Sequence, residues 1–349
     1  MGEPAFSRRL LAWHRRHGRR DLPWKQTRDP YPIWVSEIML QQTQVSTVIP
    51  YFERFMTRFP DIRTLAAATL DEVLHHWTGL GYYARARNLQ RAAVTIVNAH
   101  DGRFPRTFDA VHALPGIGLS TAGAILAFAF GQRHVILDGN VKRVLARYHA
   151  IKGWPGKREI EKRLWVLADQ HTPRTRVRNY TQAIMDLGAT VCRRANPDCV
   201  SCPVNHGCRA RALDSPSAYP TPAPRRRLPI RGTAMLIIRD RRGRVLLQRR
   251  PPAGLWGGLW GFPECGSDDV RAWCRETLGL EVKLEAALPP LRHSFSHFHL
   301  DITPITVRAL GAGKAMEHPQ SLWYNPRQPD ARGFAAPVKR LLEALRITP

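Results

Sequence analysis

Four cysteines stand close together in the array Cys192-x6-Cys199-x2-Cys202-x5-Cys208. Thiolates gathered in one loop can ligate a metal centre, and a set of four suits either zinc or a [4Fe–4S] cluster. Zinc sites usually draw on two separated Cys-x2–4-Cys pairs, whereas here only Cys199 and Cys202 form such a pair. Four of the chain's six cysteines lie in this stretch, which argues against scattered structural thiols. Disulfides are a weaker alternative, because no secretory signal accompanies the cysteines. Arg193 and Arg194, between the first two thiols, are placed to present charge to a phosphate.

A second stretch could bind an anion. Leu114-Pro-Gly-Ile-Gly-Leu-Ser-Thr-Ala-Gly123, followed by apolar Ala124–Phe130, reads as a helix–hairpin–helix. Pro115 ends one helix, while Gly116 and Gly118 let backbone amides approach a phosphate with no Cβ in the way. Those amides sit at the next helix's N-terminus, where the helix dipole favours an anion. An ordinary glycine-capped turn between helices would look the same in isolation.

Two carboxylates follow a division of labour that acid catalysis needs. Asp138, in Leu137-Asp-Gly-Asn-Val-Lys-Arg-Val144, reads as the N-cap of the helix beginning near Gly139. Capping bonds from backbone N–H groups lower a carboxylate's pKa and keep it ionised, which suits it to stand beside a developing positive charge. Glu37 lies among apolar Val35, Ile38, Met39 and Leu40. Burial there would raise its pKa and keep it a proton donor. Gln41 lies one turn on and is expected to share its face.

The elements that must position these groups divide at a linker. At 349 residues the chain has length for about two domains, each with its own core. Through about Leu213 it reads as helices: one around Leu10–Trp13, then Pro32–Val48, Asp71–Trp77, Ala84–Val97, Phe108–Leu114, Ser120–Phe130, Val141–Ala150 and Ile160–Asp169. Residues 214–229, with five prolines and Arg225-Arg226-Arg227, read as a semi-extended linker. From residue 230 to 349 the pattern becomes α+β. Strands at Thr233–Ile238 and Arg244–Gln248 flank a hairpin turn, and a helix at Val270–Leu278, a strand near Leu300–Val307 and a helix at Ala336–Leu345 follow.

Charge points to a polyanion. There are 53 Lys and Arg against 28 Asp and Glu, a formal charge of +25. Such a chain is drawn to nucleic acid through counterion release. No run approaches the roughly 18 apolar residues of a membrane span, and the start MGEPAFSRRLLAW lacks the apolar core of a signal peptide. The chain is therefore expected to work in the cytoplasm, at the nucleoid, with no membrane partner.

The cysteine spacing resembles the iron–sulfur loop of the endonuclease III family, and the pairing of the hairpin with Asp138 twenty residues past Gly118 is a hallmark of the helix–hairpin–helix glycosylases. From about residue 6 to 345 the chain resembles more specifically the MutY family of A/G-specific adenine DNA glycosylases. The matching segments are Leu22-Pro-Trp24, Ser36–Thr43, Thr78–Leu89, Leu114–Gly123, Ile136–Arg147 and the cysteine loop, in family order. The resemblance implies a multi-domain protein: an all-α helix–hairpin–helix glycosylase domain over 1–213 with an iron–sulfur loop, then an α+β Nudix-like domain. Within the first, it implies a six-helix module (about 21–134) beside an iron–sulfur module (about 1–20 plus 135–213). It also implies a [4Fe–4S] cofactor on Cys192, Cys199, Cys202 and Cys208, a monomer, and double-stranded DNA with A:8-oxoguanine or A:G mispairs as partner.

Site residues follow by the same resemblance. Glu37 is the catalytic acid, Asp138 the stabiliser or nucleophile, and Asn140 orients Asp138 or the water. Gln42 and Tyr82 form the wedge that fills or opens the base stack, which suits an amide and an aromatic ring, with Tyr83 an equally good stacker on sequence alone. Gln41, Gly116, Gly118, Ser120 and Lys142 complete the DNA contacts. Endonuclease III-like enzymes carry a hairpin lysine that forms a Schiff base; Ser120 stands there instead and cannot. The implied activity is a monofunctional one, in base excision repair.

In the C-terminal part, Gly258-x5-Glu264 and Arg275-Glu276-x2-Gly279-Leu280 resemble a Nudix box in which Trp273 and Thr277 replace metal-binding glutamates. Glu276 alone makes a poor magnesium site. The module is thus expected to recognise rather than hydrolyse, with Phe295, Ser296 and His297 facing 8-oxoguanine. His293, His297 and His299 alternate as if on one strand face, but lack a carboxylate partner for a metal. Rival readings are a bifunctional endonuclease III-like glycosylase/lyase, opposed by Ser120, a noncatalytic iron–sulfur DNA-binding protein, opposed by Glu37 and Asp138, and a Nudix hydrolase of oxidised nucleotides, opposed by Trp273 and Thr277.

Overall fold

The computed structural model describes residues 5–224, 227–266, 268–311 and 320–347. The chain divides into two compact units: Met1–Ala66 with Arg91–Arg225, and Ala67–Gln90 with Arg226–Pro349. A division read from the proline-rich linker alone misses the exchange of residues 67–90, which group with the C-terminal part.

The first unit is helical. Helix Pro30–Leu40 starts where Asp29 Oδ1 accepts the Tyr31 amide at 2.9 Å and Pro30 supplies a preset φ. It packs along helix Leu119–Phe130. Both are buried on nearly every side, through Ile33, Trp34, Val35, Ile38 and Met39 on one and Ala122–Phe128 on the other. Each such large apolar side chain contributes about 1.5–3 kcal/mol when fully buried. The expected single helix Pro32–Val48 is in fact two. Gln42 adopts φ +58, which ends the hydrogen-bond ladder, and a second helix, Val45–Arg58, begins after Gln44. Gln41 is accordingly the C-cap of the first helix and does not share a helical face with Glu37.

A second apolar core joins the N-terminal helix Ala5–His17 to the later helices. Phe6, Leu10 and Leu11 pack with Val141, Val144 and Leu145 of helix Gly139–Tyr148, Leu164 of Arg158–His171, and Tyr180 and Ile184 of Val177–Asp186. The last of these was not read from the sequence. It continues as a π-helical turn, Leu187–Val191, that delivers Cys192. Such turns recur at functional sites.

The second unit is built on a mixed sheet. Its strands are β1 (Ile230–Arg239), β2 (Val245–Arg249), β3 (Trp260–Gly261), β4 (Glu264–Cys265), β5 (Val282–Ala287), β6 (Leu291–Ser294), β7 (His299–Ala309) and β8 (Ser321–Tyr324). The main order is β3-β2-β1-β7-β5, with β1 and β7 parallel and the other pairs antiparallel. Asp240 accepts from the amides of Arg242 and Arg244 in the β1–β2 turn, fixing the hairpin. Helix Val270–Leu278, capped by Asp269 and ended by Gly279 at φ +61, packs Val270, Cys274 and Leu278 on Leu236, Leu246 and Val307. Helix Leu70–Trp77, opened by the Thr69/Glu72 capping box, belongs to this same unit. No helix among the described residues is long and apolar enough to cross a membrane.

Candidate active site and nucleic-acid interface

Glu37 opens into a pocket of about 540 Å³ in the helical unit, whose walls include Trp24, Lys25, Ile33, Phe128, Arg178 and Gln182. Its helix is held by the buried Trp34 and Met39 on one side and by Ser36 Oγ, which donates to Ile33 O at 2.7 Å. The carboxyl therefore sits on a buried helix with the pocket before it. Burial, and then the charge of Asp138, push its pKa up to about 8. Glu37 holds its proton at neutral pH, as the apolar neighbours led us to expect.

Asp138 caps helix Gly139–Tyr148. Its Oδ1 accepts from Val141 N at 2.8 Å and its Oδ2 from Asn140 Nδ2 at 3.2 Å. The expected downward shift does not result. Burial raises the carboxyl above its ordinary value, and the bonds from Val141 and Asn140 with the charge of Arg143 only oppose it. Asn140 thus does bond Asp138, and is itself bonded: Arg143 Nη2 donates to Asn140 Oδ1 at 2.8 Å. The same guanidinium donates to Gly188 O at 2.6 Å and to Cys192 O at 2.8 Å. Gly188 is required there, since a Cβ would stand 2.6 Å from that of Asn140. Arg143 went unnoticed in the sequence, where nothing local marks a cation whose carbonyl acceptors lie 45 and 49 positions away.

Behind the pocket-lining residues Arg19, Lys25 and Gln182 lies a further carboxylate the sequence reading missed. Asp186 is buried and accepts from Arg19 Nε at 2.8 Å, Arg19 N at 3.1 Å and Gln182 Nε2 at 2.8 Å, with Lys25 Nζ 3.6 Å and His14 Nε2 3.4 Å away. Burial pushes its pKa up, but His14, Arg19 and Lys25 outweigh it and hold the carboxyl well below the usual range. Flanking Ile184 and Leu187 could have marked it as a buried charge.

None of the four loop cysteines is in a disulfide, and all are half-buried. Burial raises the thiol pKa values of Cys199 and Cys202, and the charges of the other loop cysteines raise them further, so the four sulfurs lie within electrostatic reach of one another. Arg147 Nη1 donates to Cys192 Sγ at 3.4 Å and to Arg193 O at 2.6 Å, and its Nη2 to Arg194 O at 3.0 Å. Among the described residues no three His, Cys, Asp or Glu side chains gather tightly enough for a single ion. A cluster of several irons is wider than one ion, and the donor set of four thiols fits it.

The hairpin presents Gly116 at φ +81 and Gly118 as the N-cap of Leu119–Phe130, both exposed, with open space where a Gly118 Cβ would lie. Ser120 Oγ accepts from Leu137 N at 3.0 Å, tying the hairpin to the strand of chain before Asp138. Gln41 Nε2 reaches Thr121 Oγ1 at 3.4 Å, and exposed Gln42 follows. Lys142 Nζ is paired with Glu161 at 2.6 Å.

In the second unit, Tyr82 stands at φ +47 and is 51% exposed, whereas Tyr83 is buried with its hydroxyl donating to Phe334 O at 2.9 Å. The exposed ring of the two is that of Tyr82, over which the Arg85 guanidinium lies 5.5 Å from the centroid. Phe295, Ser296 and His297 occupy the turn between β6 and β7, closed by Phe295 N donating to Phe298 O at 2.9 Å. The three histidines therefore do not line one strand face: His293 is on β6, His297 in the turn, and His299 begins β7. Phe295 packs against Trp256 and His293 with ring centroids 5.5 and 4.6 Å apart.

Residues 35–170 match the HhH-GPD superfamily of base excision DNA repair proteins, and residues 234–344 match the NUDIX domain. The fold and the site thus define a helix–hairpin–helix base excision glycosylase joined to a Nudix-like domain. A solved thermostable thymine-DNA glycosylase is 30% identical, with a TM-score of 0.55 over 60% of this chain and 95% of that one. An endonuclease III–DNA complex, at 22% identity and TM-score 0.50, shares the fold. The adenine DNA glycosylase of Buchnera aphidicola from Acyrthosiphon pisum is 37% identical over 98% of both chains, and the human adenine DNA glycosylase is 37% identical over 85% of this chain and 65% of its own. The chain belongs to the adenine DNA glycosylase family, enzymes that hydrolyse N-glycosyl bonds.

Proposed function

We propose that this enzyme removes adenine paired with 8-oxoguanine or guanine in double-stranded DNA, and that it hydrolyses the glycosidic bond without cutting the backbone. The observation that carries the reading is Glu37, a carboxyl that keeps its proton up to about pH 8 in a pocket large enough for one extruded base. Adenine enters beside Trp24, Glu37 protonates it at N7, and the C1′–N9 bond breaks with its electron pair passing to the base. The cationic sugar left behind is met by Asp138, whose orientation Asn140 fixes. Water then attacks C1′ and gives up its proton to the Glu37 carboxylate, which restores the acid. The buried Asp186 carboxylate fixes Arg19, Lys25 and Gln182, whose side chains line the pocket around the base.

Absence of an amine at Ser120 supports the monofunctional reading, because a hydroxyl has no nitrogen with which to form an imine. Cys192, Cys199, Cys202 and Cys208 are the proposed ligands of a [4Fe–4S] cluster, which when bound ties the loop into one rigid body. Arg193 and Arg194 then face phosphate with their backbone held by Arg147. Gly116, Gly118, Gln41 and Gln42 engage DNA on the same unit; Lys142 would have to leave Glu161 to do so. The Phe295–His297 turn reads the oxidised purine. The test is a duplex holding one A:8-oxoguanine pair, scored for abasic sites and for strand breaks with and without alkali. Breaks only after alkali, and no borohydride-trapped complex, are expected; breaks without alkali accompanied by trapping would refute the monofunctional reading.

A further inference from the structure

Residues 67–90 lie in the second unit, and three hydrogen bonds pin the loop that carries Tyr82 to the β-sheet part of it. Tyr83 Oη donates to Phe334 O at 2.9 Å while accepting from Gly79 N at 3.2 Å. Thr78 Oγ1 accepts from Phe334 N at 3.4 Å. Arg87 Nη1 donates to Gly257 O at 2.7 Å. Gly257 is the neighbour of Trp256, and Trp256 is the ring against which both His293 and Phe295 rest, each at 5.5 Å. One guanidinium therefore stands one peptide away from the aromatic face that carries the Phe295–His297 turn.

The seat is rigid on both sides. Trp256 is held in the left-handed region at φ +53, between Gly254 at +88 and Gly258 at +77, a conformation a tryptophan keeps only when its surroundings impose it. A Cβ on Gly257 would stand 2.3 Å from Pro252 O, and one on Gly333 would stand 2.5 Å from Leu74 Cβ. Trp260 Nε1 also donates to Asp71 Oδ1 at 3.1 Å. At Gly257 backbone lies against backbone, and at Gly333 it lies against the Leu74 and Leu259 side chains, so neither position admits a Cβ without a shift.

We propose that Arg87 and Tyr83 are positioning residues that act as a ruler, fixing the spacing between the Tyr82 ring and the Trp256–His293–Phe295 face, so that both address one duplex together. This rests on the reading that the face recognises 8-oxoguanine and Tyr82 enters the stack. Neither residue touches the base to be removed. Breaking the ruler should cost the preference for the oxidised partner and leave the excision chemistry intact.

The test compares wild type with Arg87→Met, Tyr83→Phe and the conservative Arg87→Lys. Single-turnover excision is measured for adenine opposite 8-oxoguanine and opposite guanine, with 2-aminopurine beside the oxidised base reporting local unstacking. Wild type should prefer the 8-oxoguanine duplex. In Arg87→Met the preference should shrink by about tenfold, the scale of one charge-assisted hydrogen bond, with excision opposite guanine within about twofold of wild type. Tyr83→Phe should lose a smaller part, the 2-aminopurine signal should fall in both, and Arg87→Lys should recover part of each. Full retention of the preference in Arg87→Met and Tyr83→Phe, or an equal fall on both duplexes with a lowered melting temperature, overturns the ruler. A wild type without any preference would instead remove the reading on which it rests.

Discussion

Replacing Glu37 by Gln should make the folded protein more stable at neutral pH while abolishing excision. The sign follows from linkage. Unfolded, the carboxyl titrates near 4.5; folded, burial and Asp138 raise it to about 8. Between those values the folded chain binds one proton more than the unfolded chain, so Glu37 draws stability down as pH climbs through the window. Each pH unit corresponds to about 1.36 kcal/mol, which gives about 3 kcal/mol at pH 7. The carboxyl faces a water-accessible pocket, and that screening reduces the figure to about 1–3 kcal/mol. Urea unfolding of wild type and Glu37→Gln at intervals from pH 4 to pH 8 reads it directly. The two proteins should coincide at the acid end, with the Gln variant pulling ahead as pH rises. In the same samples, single-turnover excision should fall by about 10²–10⁴-fold in the variant, and wild-type excision should hold steady to about pH 8 and then decline tenfold per unit. A stability gap that stays constant across the range would show that Glu37 is not a buried proton store, and the assigned acid would lose its physical basis.

Four further outcomes follow from the site. Asp138→Asn should lower excision by about 10²–10³-fold with gel-shift affinity for the mispaired duplex preserved, since the cap bond to Val141 survives while the charge facing the sugar is lost. Gly188→Ala should lower excision without loss of iron, because the new Cβ displaces Asn140 rather than a cysteine, which iron assay beside single-turnover kinetics will show. Purified protein should be brown, with about four irons per chain, and stoichiometric zinc without iron would exclude the cluster. Ser296→Ala with His297→Ala should narrow the preference for 8-oxoguanine over guanine by about 1–3 kcal/mol, read from the ratio of excision rates.

Much of the architecture was legible because local rules and tertiary structure agree. Helix Val270–Leu278 is bounded by an Asp cap and a left-handed Gly, and both signals are in the sequence. The hairpin at Gly116–Gly118 is fixed by glycine geometry, and Glu37's raised pKa by the apolar residues on either side of it. Where the reading failed, a long-range term decided. Nothing local stops a helix at Gln42, a residue of ordinary helix propensity, and its left-handed φ is set by the fold around it. Capping bonds to Asp138 are visible in sequence, but the burial that outweighs them depends on how the helices close over it.

Two of the site's determinants share this origin, and they explain why a motif search finds the reacting groups and not their supports. Arg143 touches Asn140, Gly188 and Cys192, residues up to 49 positions away in the chain, and its value lies in joining three backbone or amide oxygens that no local pattern brings together. Arg87 does the same over 170 positions, through the backbone carbonyl of Gly257. A catalytic carboxylate must be a particular residue type, and so it leaves a mark in the sequence. A carbonyl acceptor leaves none, because every residue carries one. The proposed reacting groups of this enzyme were therefore readable through the family resemblance of the segments that carry them, while the arginines that hold the frame around them became visible only once the chain had folded.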